Sequence, residues 1–345
     1  MSDNLRIGLR IGVVGCGAMG QGHLDVWAQT TGATVAAVCD GLAERAEETG
    51  AKFGARPFTS LDTMLDSGEI DAVDICTPSG LHADQGIAAA TRNLHVLVEK
   101  PLDLNIDKVD RLVAECESRG LALGCIFQRR TYRGAQQVAR WVAEGAFGDI
   151  FSCSACLKWY RPQSYYDSAG WRGTWALDGG VLANQAIHAL DHLCWLAGPV
   201  AEVEYAHLST THDMEAEDFA IAALRFDSGA RGVVEATTCC SPDLCSRIEL
   251  FGTKGSVAFE DATVVRLGLD GQDRMASLEQ DNERIGGGSV PMAISMRGHA
   301  LLIQDFVEAV RDRRPPLVPA SQARMSVDVL NKIYAKAMPG QKIGT

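Results

Sequence analysis

Five short apolar runs in the first 127 residues alternate with amphipathic segments, and this rhythm constrains the fold more than any other feature of the chain. The runs are residues 11–14, 34–39, 72–76, 95–98 and 121–126; the segments between them include 42–53, 81–92 and 106–119. Near-continuous apolar strands are buried on both faces, and parallel neighbours need a crossover of a dozen or more residues. The amphipathic segments are long enough to be those crossover helices, so residues 1–127 are expected to form one doubly wound parallel α/β domain. After about Arg129 the rhythm changes. A helical stretch at 135–144 gives way to β-rich segments at 150–160, 200–209, 219–226, 231–238 and 247–251, with short turns such as Asp227-Ser228-Gly229-Ala230. Strands joined this way predict an antiparallel sheet, so 128–345 is expected to be a second α/β domain. Within it, 181–196 reads as one helix, 298–312 and 321–336 as two more, and the polar, glycine-rich stretch 271–291 as a mobile loop.

Composition narrows the partners. Hydrophobic residues make up 46% and charged residues 22%, a globular balance, and 345 residues exceed what one hydrophobic core usually supports. The formal charge of −12 repels phosphate backbones and anionic headgroups over most of the surface, so neither nucleic acid nor membrane is expected as a partner. No apolar run approaches the roughly 20 residues that span a bilayer, and residues 1–10 lack a signal peptide's apolar centre, which predicts a cytoplasmic protein. Eleven scattered cysteines fit reduced, buried thiols better than a disulfide framework. Cys153 and Cys156 share one predicted strand, where an offset of three points them to opposite faces, so no metal is expected there.

Gly15-Cys16-Gly17-Ala18-Met19-Gly20 follows the first run and opens the first helical segment with the spacing G-x-G-x-x-G. Glycines there permit a tight turn and close approach of backbone to a pyrophosphate at the positive end of a helix. Asp40 ends the second run twenty residues beyond Gly20, where a carboxylate accepts hydrogen bonds from the adenosine ribose and repels a 2′-phosphate. This predicts NAD, with Arg45 keeping NADP open as the alternative. Alone, the glycine pattern also fits a plain helix–strand packing turn, and Asp40 a turn aspartate before Gly41. Thr77-Pro78-Ser79 and Glu99-Lys100-Pro101 end two further runs at the same carboxyl edge, where doubly wound sheets bind their ligands.

The glycine turn, Asp40, Thr77-Pro78-Ser79-Gly80-Leu81-His82 and Glu99-Lys100-Pro101 together resemble the Gfo/Idh/MocA oxidoreductases. Phe127-Gln128-Arg129-Arg130, Gly170-Trp171-Arg172-Gly173-Thr174-Trp175, Asn184-Gln185-Ala186-Ile187-His188-Ala189-Leu190-Asp191 and Ala323-Arg324 extend the resemblance over essentially the whole chain. It implies a Rossmann domain followed by an α/β domain with a large open, mainly antiparallel sheet, whose outer face builds homodimers or homotetramers. It implies a cofactor site formed by Gly15, Cys16, Gly17, Ala18, Met19, Gly20, Asp40, Thr77, Pro78, Ser79, Leu81, His82, Glu99, Lys100 and Gln128. It carries catalytic roles over to Lys100 and His188. Asn184, expected one helical turn before His188 on the same face, stands where many members have aspartate. Asparagine followed by Gln185 is more similar to the sugar-nucleotide 3-dehydrogenase branch than to inositol dehydrogenases. Where members often carry three glycines before this helix, the chain has Asp178-Gly179-Gly180.

Oxidising a secondary alcohol removes the hydroxyl proton and delivers hydride to the nicotinamide, so a base must touch the oxygen. An imidazole titrates near neutrality, and His188 is expected to take that proton. Lys100 is expected to orient the hydroxyl and stabilise charge developing on oxygen, or to carry the proton itself. A metal held by His188 and His192 at i, i+4 is the competing reading, and Asp191 either orients the imidazole or pairs on the surface. Trp159, Arg161, Trp171 and Arg172, with Asn184 and His188, are the expected substrate contacts: rings stack on sugar faces and guanidinium groups bind hydroxyls or carboxylates. The same aromatic-basic segment also suits a packed sheet edge or a subunit interface. The expectation is an NAD-dependent oxidoreductase acting on a secondary hydroxyl of a sugar, sugar derivative or cyclitol. Its alternatives are glycoside cleavage through a transient keto-sugar and a non-catalytic dinucleotide-binding sensor, against which the presence of both Lys100 and His188 argues.

Overall fold

The N-terminal apolar runs become parallel strands because they leave no polar face to expose. In the computed structural model, which describes residues 8–281, 295–340 and 344, they follow as β1 (Leu9–Val14), α1 (Ala18–Trp27), β2 (Ala33–Cys39), α2 (Ala43–Phe53), β3 (Arg56–Phe58), α3 (Leu61–Leu65), β4 (Ala72–Ile75), α4 (His82–Ala90), β5 (His95–Glu99), α5 (Ile106–Ser118) and β6 (Leu123–Ile126). The strands form one parallel sheet in the order β3-β2-β1-β4-β5-β6. Ile11, Val13, Val96 and Val98 are wholly buried. The Asn105 side chain accepts from the amides of Asp107 (2.9 Å) and Lys108 (3.3 Å) and so starts α5, a cap that contributes about 1 kcal/mol. Chain direction across the sheet reverses between β1 and β4, and the turns leaving those two strands frame the crevice where such sheets bind ligands. The three-residue β3, which contains Pro57, is too short to leave a periodic signal and was not expected.

The second unit runs through α6 (Arg133–Ala143), β7 (Ile150–Lys158), α7 (Gln163–Asp167), α8 (Val181–Asn184), α9 (Ile187–Ala197), β8 (Val200–Ser209), β9 (Phe219–Phe226), β10 (Arg231–Thr237), β11 (Ser246–Gly252), β12 (Gly255–Glu260), β13 (Thr263–Leu269) and β14 (Gln272–Asp273), before α10 (Arg297–Asp312) and α11 (Ala320–Ala337). Its eight strands are ordered β14-β13-β12-β11-β7-β10-β9-β8. All pairs are antiparallel except β7 with β10. Burial alternates residue by residue along β7 and β9, so one face is core and the other open, and Cys153 and Cys156 fall on opposite faces as expected. α9 packs on the buried face against β7 and β11.

The structure departs from expectation in four places. The compact units are Met1–Ile126 with Met296–Ala323, and Phe127–Ser295 with Arg324–Thr345, so the first is not contiguous. α10 returns to it, packing on α1 and β6, and an amphipathic helix does not announce which sheet it will cover. Second, 181–196 is two helices rather than one. The amides of Gln185 (3.2 Å) and Ala186 (2.8 Å) both donate to the Val181 carbonyl, which ends α8, and the Ala186 carbonyl begins a new ladder by accepting from Ala189 (2.8 Å) and Leu190 (2.9 Å). Asn184 and His188 therefore do not share a continuous helical face. Third, the expected loop at 271–291 begins with β14 and a turn of 3₁₀ helix at Met275–Ser277, and Gln280 is fastened to the backbone of Val264 by bonds of 2.8 and 3.0 Å. Residues 282–291 of that loop lie outside the described residues. Fourth, β12 to β14 extend the sheet beyond the expected strands.

Candidate active site

In the first unit the turn after β1 is built by glycine. Gly15 has φ of +91°, and a Cβ there would stand 2.8 Å from the Cys76 carbonyl oxygen. A Cβ on Gly20 would fall 1.9 Å from the Gly15 carbonyl oxygen, whereas one on Gly17 would meet nothing within 4 Å. The turn is thus closed on the protein side and open above Gly17, at the start of α1, which is what a pyrophosphate cradle requires. Asp40, at the end of β2, accepts from the amides of Cys16 (2.9 Å) and Leu42 (2.9 Å), and Arg45 reaches it only at 3.4 Å from a half-exposed position. These residues fit the adenosine and pyrophosphate of NAD, and the carboxylate opposes a 2′-phosphate.

The carboxyl ends of β4 and β5 carry the other expected residues. Thr77 donates to Gln85 Oε1 at 2.7 Å, and Pro78 leads into the 3₁₀ turn Ser79–Leu81, where Leu81 is exposed. His82 does not face the crevice as expected. It is buried, with Nδ1 2.7 Å from the Pro101 carbonyl and Nε2 2.8 Å from the Thr77 carbonyl, so it ties the two edge turns together from below. Glu99, also expected on the cofactor, turns inward. Its Oε2 accepts the backbone N–H of Lys100 (3.0 Å), and its Oε1 lies 3.0 Å from His23 Nε2 and 3.4 Å from His299 Nε2. His23 Nδ1 is 2.8 Å from Asp74, which also takes the Trp27 indole N–H at 2.6 Å. No contiguous motif in the sequence marks this buried cluster. Its one legible sign was Asp74, a charge in the middle of the apolar strand β4.

In the second unit His188 opens α9, with its ring edge-on to Phe127 at 5.9 Å between centroids. Asn184, at the end of α8, donates its side-chain amide to Asp178, whose other oxygen accepts the Gly173 amide at 2.8 Å. Asp191 neither orients an imidazole nor pairs on the surface: it is buried and holds Arg130 through two bonds of 2.8 and 2.7 Å. His192 packs between the rings of Phe259 (4.6 Å) and Trp195 (5.7 Å) rather than facing a ligand. Burial, then the charges of Arg129 and Arg130, push it down to about 3. The aromatic-basic segment closes on itself. Arg161 lies 5.4 Å from the rings of both Trp159 and Tyr165, and Arg172 lies 4.2 Å over Tyr165 and 4.6 Å over Trp171. Arg172 also donates to the Tyr165 hydroxyl at 2.7 Å. Trp159 and Arg161 are buried, so neither presents an open stacking platform.

Comparison with known proteins follows the two units. A family model described as an oxidoreductase family with an NAD-binding Rossmann fold matches residues 9–127, and one described as the GFO/IDH/MocA C-terminal domain matches 135–258. The chain is similar to the myo-inositol 2-dehydrogenase of Thermotoga maritima, at 26% identity over 92% of this chain and 93% of that protein. It is similar to the UDP-N-acetylglucosamine 3-dehydrogenase of Acidithiobacillus ferrooxidans, at 27% identity over 90% and 91%. Among solved structures, it is similar to the WlbA dehydrogenase from Bordetella pertussis in complex with NADH and UDP-GlcNAcA, with 34% identity, a TM-score of 0.81 and coverage of 97% and 98%.

Proposed function

The chain belongs to the GFO/IDH/MocA oxidoreductases, and we propose that within this family it is an NAD-dependent dehydrogenase whose substrate is a nucleotide-linked sugar or sugar acid, oxidised at a secondary hydroxyl. The observation that carries the reading is the edge of the parallel sheet: Lys100 leaves β5 next to the switch between β1 and β4, where the glycine turn and Asp40 fit a dinucleotide. When bound, the nicotinamide accepts the hydride or returns it. The reading assigns Lys100 to hold the reacting hydroxyl and stabilise charge on its oxygen, and His188 to move the hydroxyl proton. Gln128, whose side-chain oxygen is buried and has no hydrogen bond among the described residues, is assigned to the cofactor. Thr77, Pro78, Ser79 and Leu81 line its site, while His82 and Glu99 act from beneath.

The substrate class rests on two supports. The relative at 34% identity was solved with UDP-GlcNAcA, and in this chain Arg172, partly exposed over Tyr165, offers the planar donors that a sugar carboxylate or hydroxyls need. Asn184 is assigned to a sugar hydroxyl. The reading also includes a homo-oligomer. Tyr205, Val233 and Phe251 are exposed, and strand register puts all three on the open face of the eight-stranded sheet, where a second copy would cover them. All eleven cysteines are free, which suits a reducing cytoplasm.

The test is a screen of the purified chain with NAD, and separately NADP, against sugars, sugar acids, cyclitols and nucleotide sugars, following the absorbance of reduced nicotinamide. Turnover with a nucleotide sugar is expected to fall by about 10² to 10⁴ in Lys100→Ala and in His188→Ala. Turnover confined to free cyclitols would overturn the substrate class, and undiminished turnover in either variant would overturn that residue's role.

A further inference from the structure

We propose that His23 and His299 are positioning residues for Lys100, acting through the carboxylate of Glu99. The inference rests on the reading of Lys100 as a group that touches the substrate. A lysine side chain has four rotatable bonds, so its ammonium can be aimed only if the backbone beneath it is fixed, and misplacement by about 1 Å costs about 10²-fold in rate. Here the backbone is fixed on both flanks. Glu99 Oε2 takes the Lys100 N–H at 3.0 Å, and His82 holds the carbonyl of Pro101 at 2.7 Å.

What holds Glu99 is a buried polar cluster drawn from four elements of the first unit. His23 comes from α1 and His299 from α10; both rings are essentially inaccessible, and both direct Nε2 at Glu99 Oε1, at 3.0 and 3.4 Å. His23 has carboxylates on both ring nitrogens, Asp74 of β4 at 2.8 Å and Glu99 of β5 at 3.0 Å, so both nitrogens donate. Cys76, one residue past the end of β4, faces the same ring at 3.3 Å, and Trp27 of α1 donates to the same Asp74 oxygen that His23 meets. Burial alone would push His23 down, but the charge and hydrogen bond of Asp74 hold it well above the usual histidine range. Burial alone would push Glu99 up, but hydrogen bonds from His23 and His299 hold it well below the usual carboxylate range. His299 Nδ1 is buried and has no hydrogen bond among the described residues, so Nε2 is the ring atom with a partner and Glu99 is that partner.

An apolar cluster of the same volume would pack this position without the desolvation of several charges, so packing alone does not account for it. The charged cluster adds direction: the carboxylate cannot rotate away from the Lys100 amide without leaving two imidazoles unbonded. Because His299 belongs to α10, far along the chain, the setting of Lys100 depends on that helix being docked in the first unit.

The test replaces His299 with Leu, which keeps volume but removes the donor, and with Gln, which keeps a donor. Two readouts are taken on the full chain: hydrogen exchange of the Lys100 backbone amide, with NAD present, and steady-state turnover of UDP-GlcNAcA or whichever nucleotide sugar is turned over. His299→Leu is expected to speed exchange at Lys100 and lower kcat, each by about tenfold, with KM and NAD affinity unchanged, and His299→Gln to recover most of both. Equal behaviour of the Leu and Gln variants, or unchanged exchange at Lys100, would overturn the proposal. So would a stoichiometric metal in the purified protein that disappears in His299→Leu. If circular dichroism shows that the Leu variant does not fold, Glu99→Gln is read by the same exchange measurement and must speed it. Turnover retained in Lys100→Ala would defeat the role of Lys100 alone, and the exchange result keeps that failure separate.

Discussion

Glu99 in the first unit and Glu217 in the second are both buried glutamates that accept a backbone N–H where a proposed functional segment begins, Lys100 in one case and Leu182 of α8 in the other, each at 3.0 Å. Their other partners differ. Glu99 faces His23 and His299, whereas Glu217 accepts the Tyr334 hydroxyl at 2.9 Å with one oxygen and buries the other with no hydrogen bond among the described residues. Glu217 also explains a glycine, since a Cβ on Gly180 would stand 2.0 Å from its free oxygen. Burial pushes Glu217 up to about 8 and Asp178 adds to the rise, while Glu99 lies well below the usual range. Equal depth thus yields opposite charge states at neutral pH, and what decides is whether a cation was folded in beside the carboxyl.

Removing that cation is the most severe way to break the comparison. His23→Leu leaves Asp74 and Glu99 buried with no cationic partner between them, and a broken buried pair costs about 3–5 kcal/mol. Denaturant unfolding followed by circular dichroism is expected to show a loss of that size. A loss below about 1 kcal/mol would mean that the carboxylates are neutral and that the two glutamates are alike after all.

Glu217→Gln is expected to act through pH. The folded protein holds this proton up to about 8, whereas the unfolded chain releases it near 4.5, so stability is full below 4.5 and falls as pH rises through that window. The slope is about 1.4 kcal/mol per pH unit where the folded group is protonated and the unfolded one is not. Glutamine carries no proton to lose, and its amide keeps an acceptor for Leu182 and Tyr334. Melting temperature measured from pH 5 to 8 should fall more steeply for the parent protein than for the variant. Parallel curves would sink the assignment of a neutral Glu217.

Much of this was legible in the sequence, and the division has a physical cause. Five of the six parallel strands and the glycine turn could be read because a strand buried on both faces is written locally, as a near-continuous apolar run. The strand pair Gly255–Glu260 and Thr263–Leu269 was missed although Val257, Phe259, Val264 and Leu267 are all buried; a glycine in each strand and a bulge between Ala258 and Phe259 interrupt the alternation. Lys100 and His188 could be named because their motifs are contiguous. The Glu99 cluster could not, because His23, Asp74 and His299 come together only through tertiary packing, and a lone histidine on a helix carries no mark of its partner. The break at Gln185 was equally silent, since nothing in Asn184-Gln185-Ala186 opposes a helix.

The smallest expected effect completes the comparison from the histidine side. His23 is surrounded by carboxylates; His192 lies between Phe259 and Trp195, and neither ring nitrogen has a hydrogen bond among the described residues. Burial first, and then Arg129 and Arg130, lower it from 6.5 to about 3, so it is neutral in the folded protein across the physiological range. A depressed histidine contributes fully above about 6.5, and the contribution is lost as pH falls toward 3, because the unfolded chain takes up the proton first. Phenylalanine fits the same aromatic stack and removes two buried polar atoms. His192→Phe is therefore expected to raise stability at pH 7 by about 1 kcal/mol and by more at pH 5, the opposite pH trend to that expected of Glu217→Gln. Thermal melts of the variant and parent at those two values decide it. A variant less stable than the parent at pH 5 would mean that the His192 ring gains a hydrogen bond in solution, and its likeness to the unpartnered oxygen of Glu217 would fail.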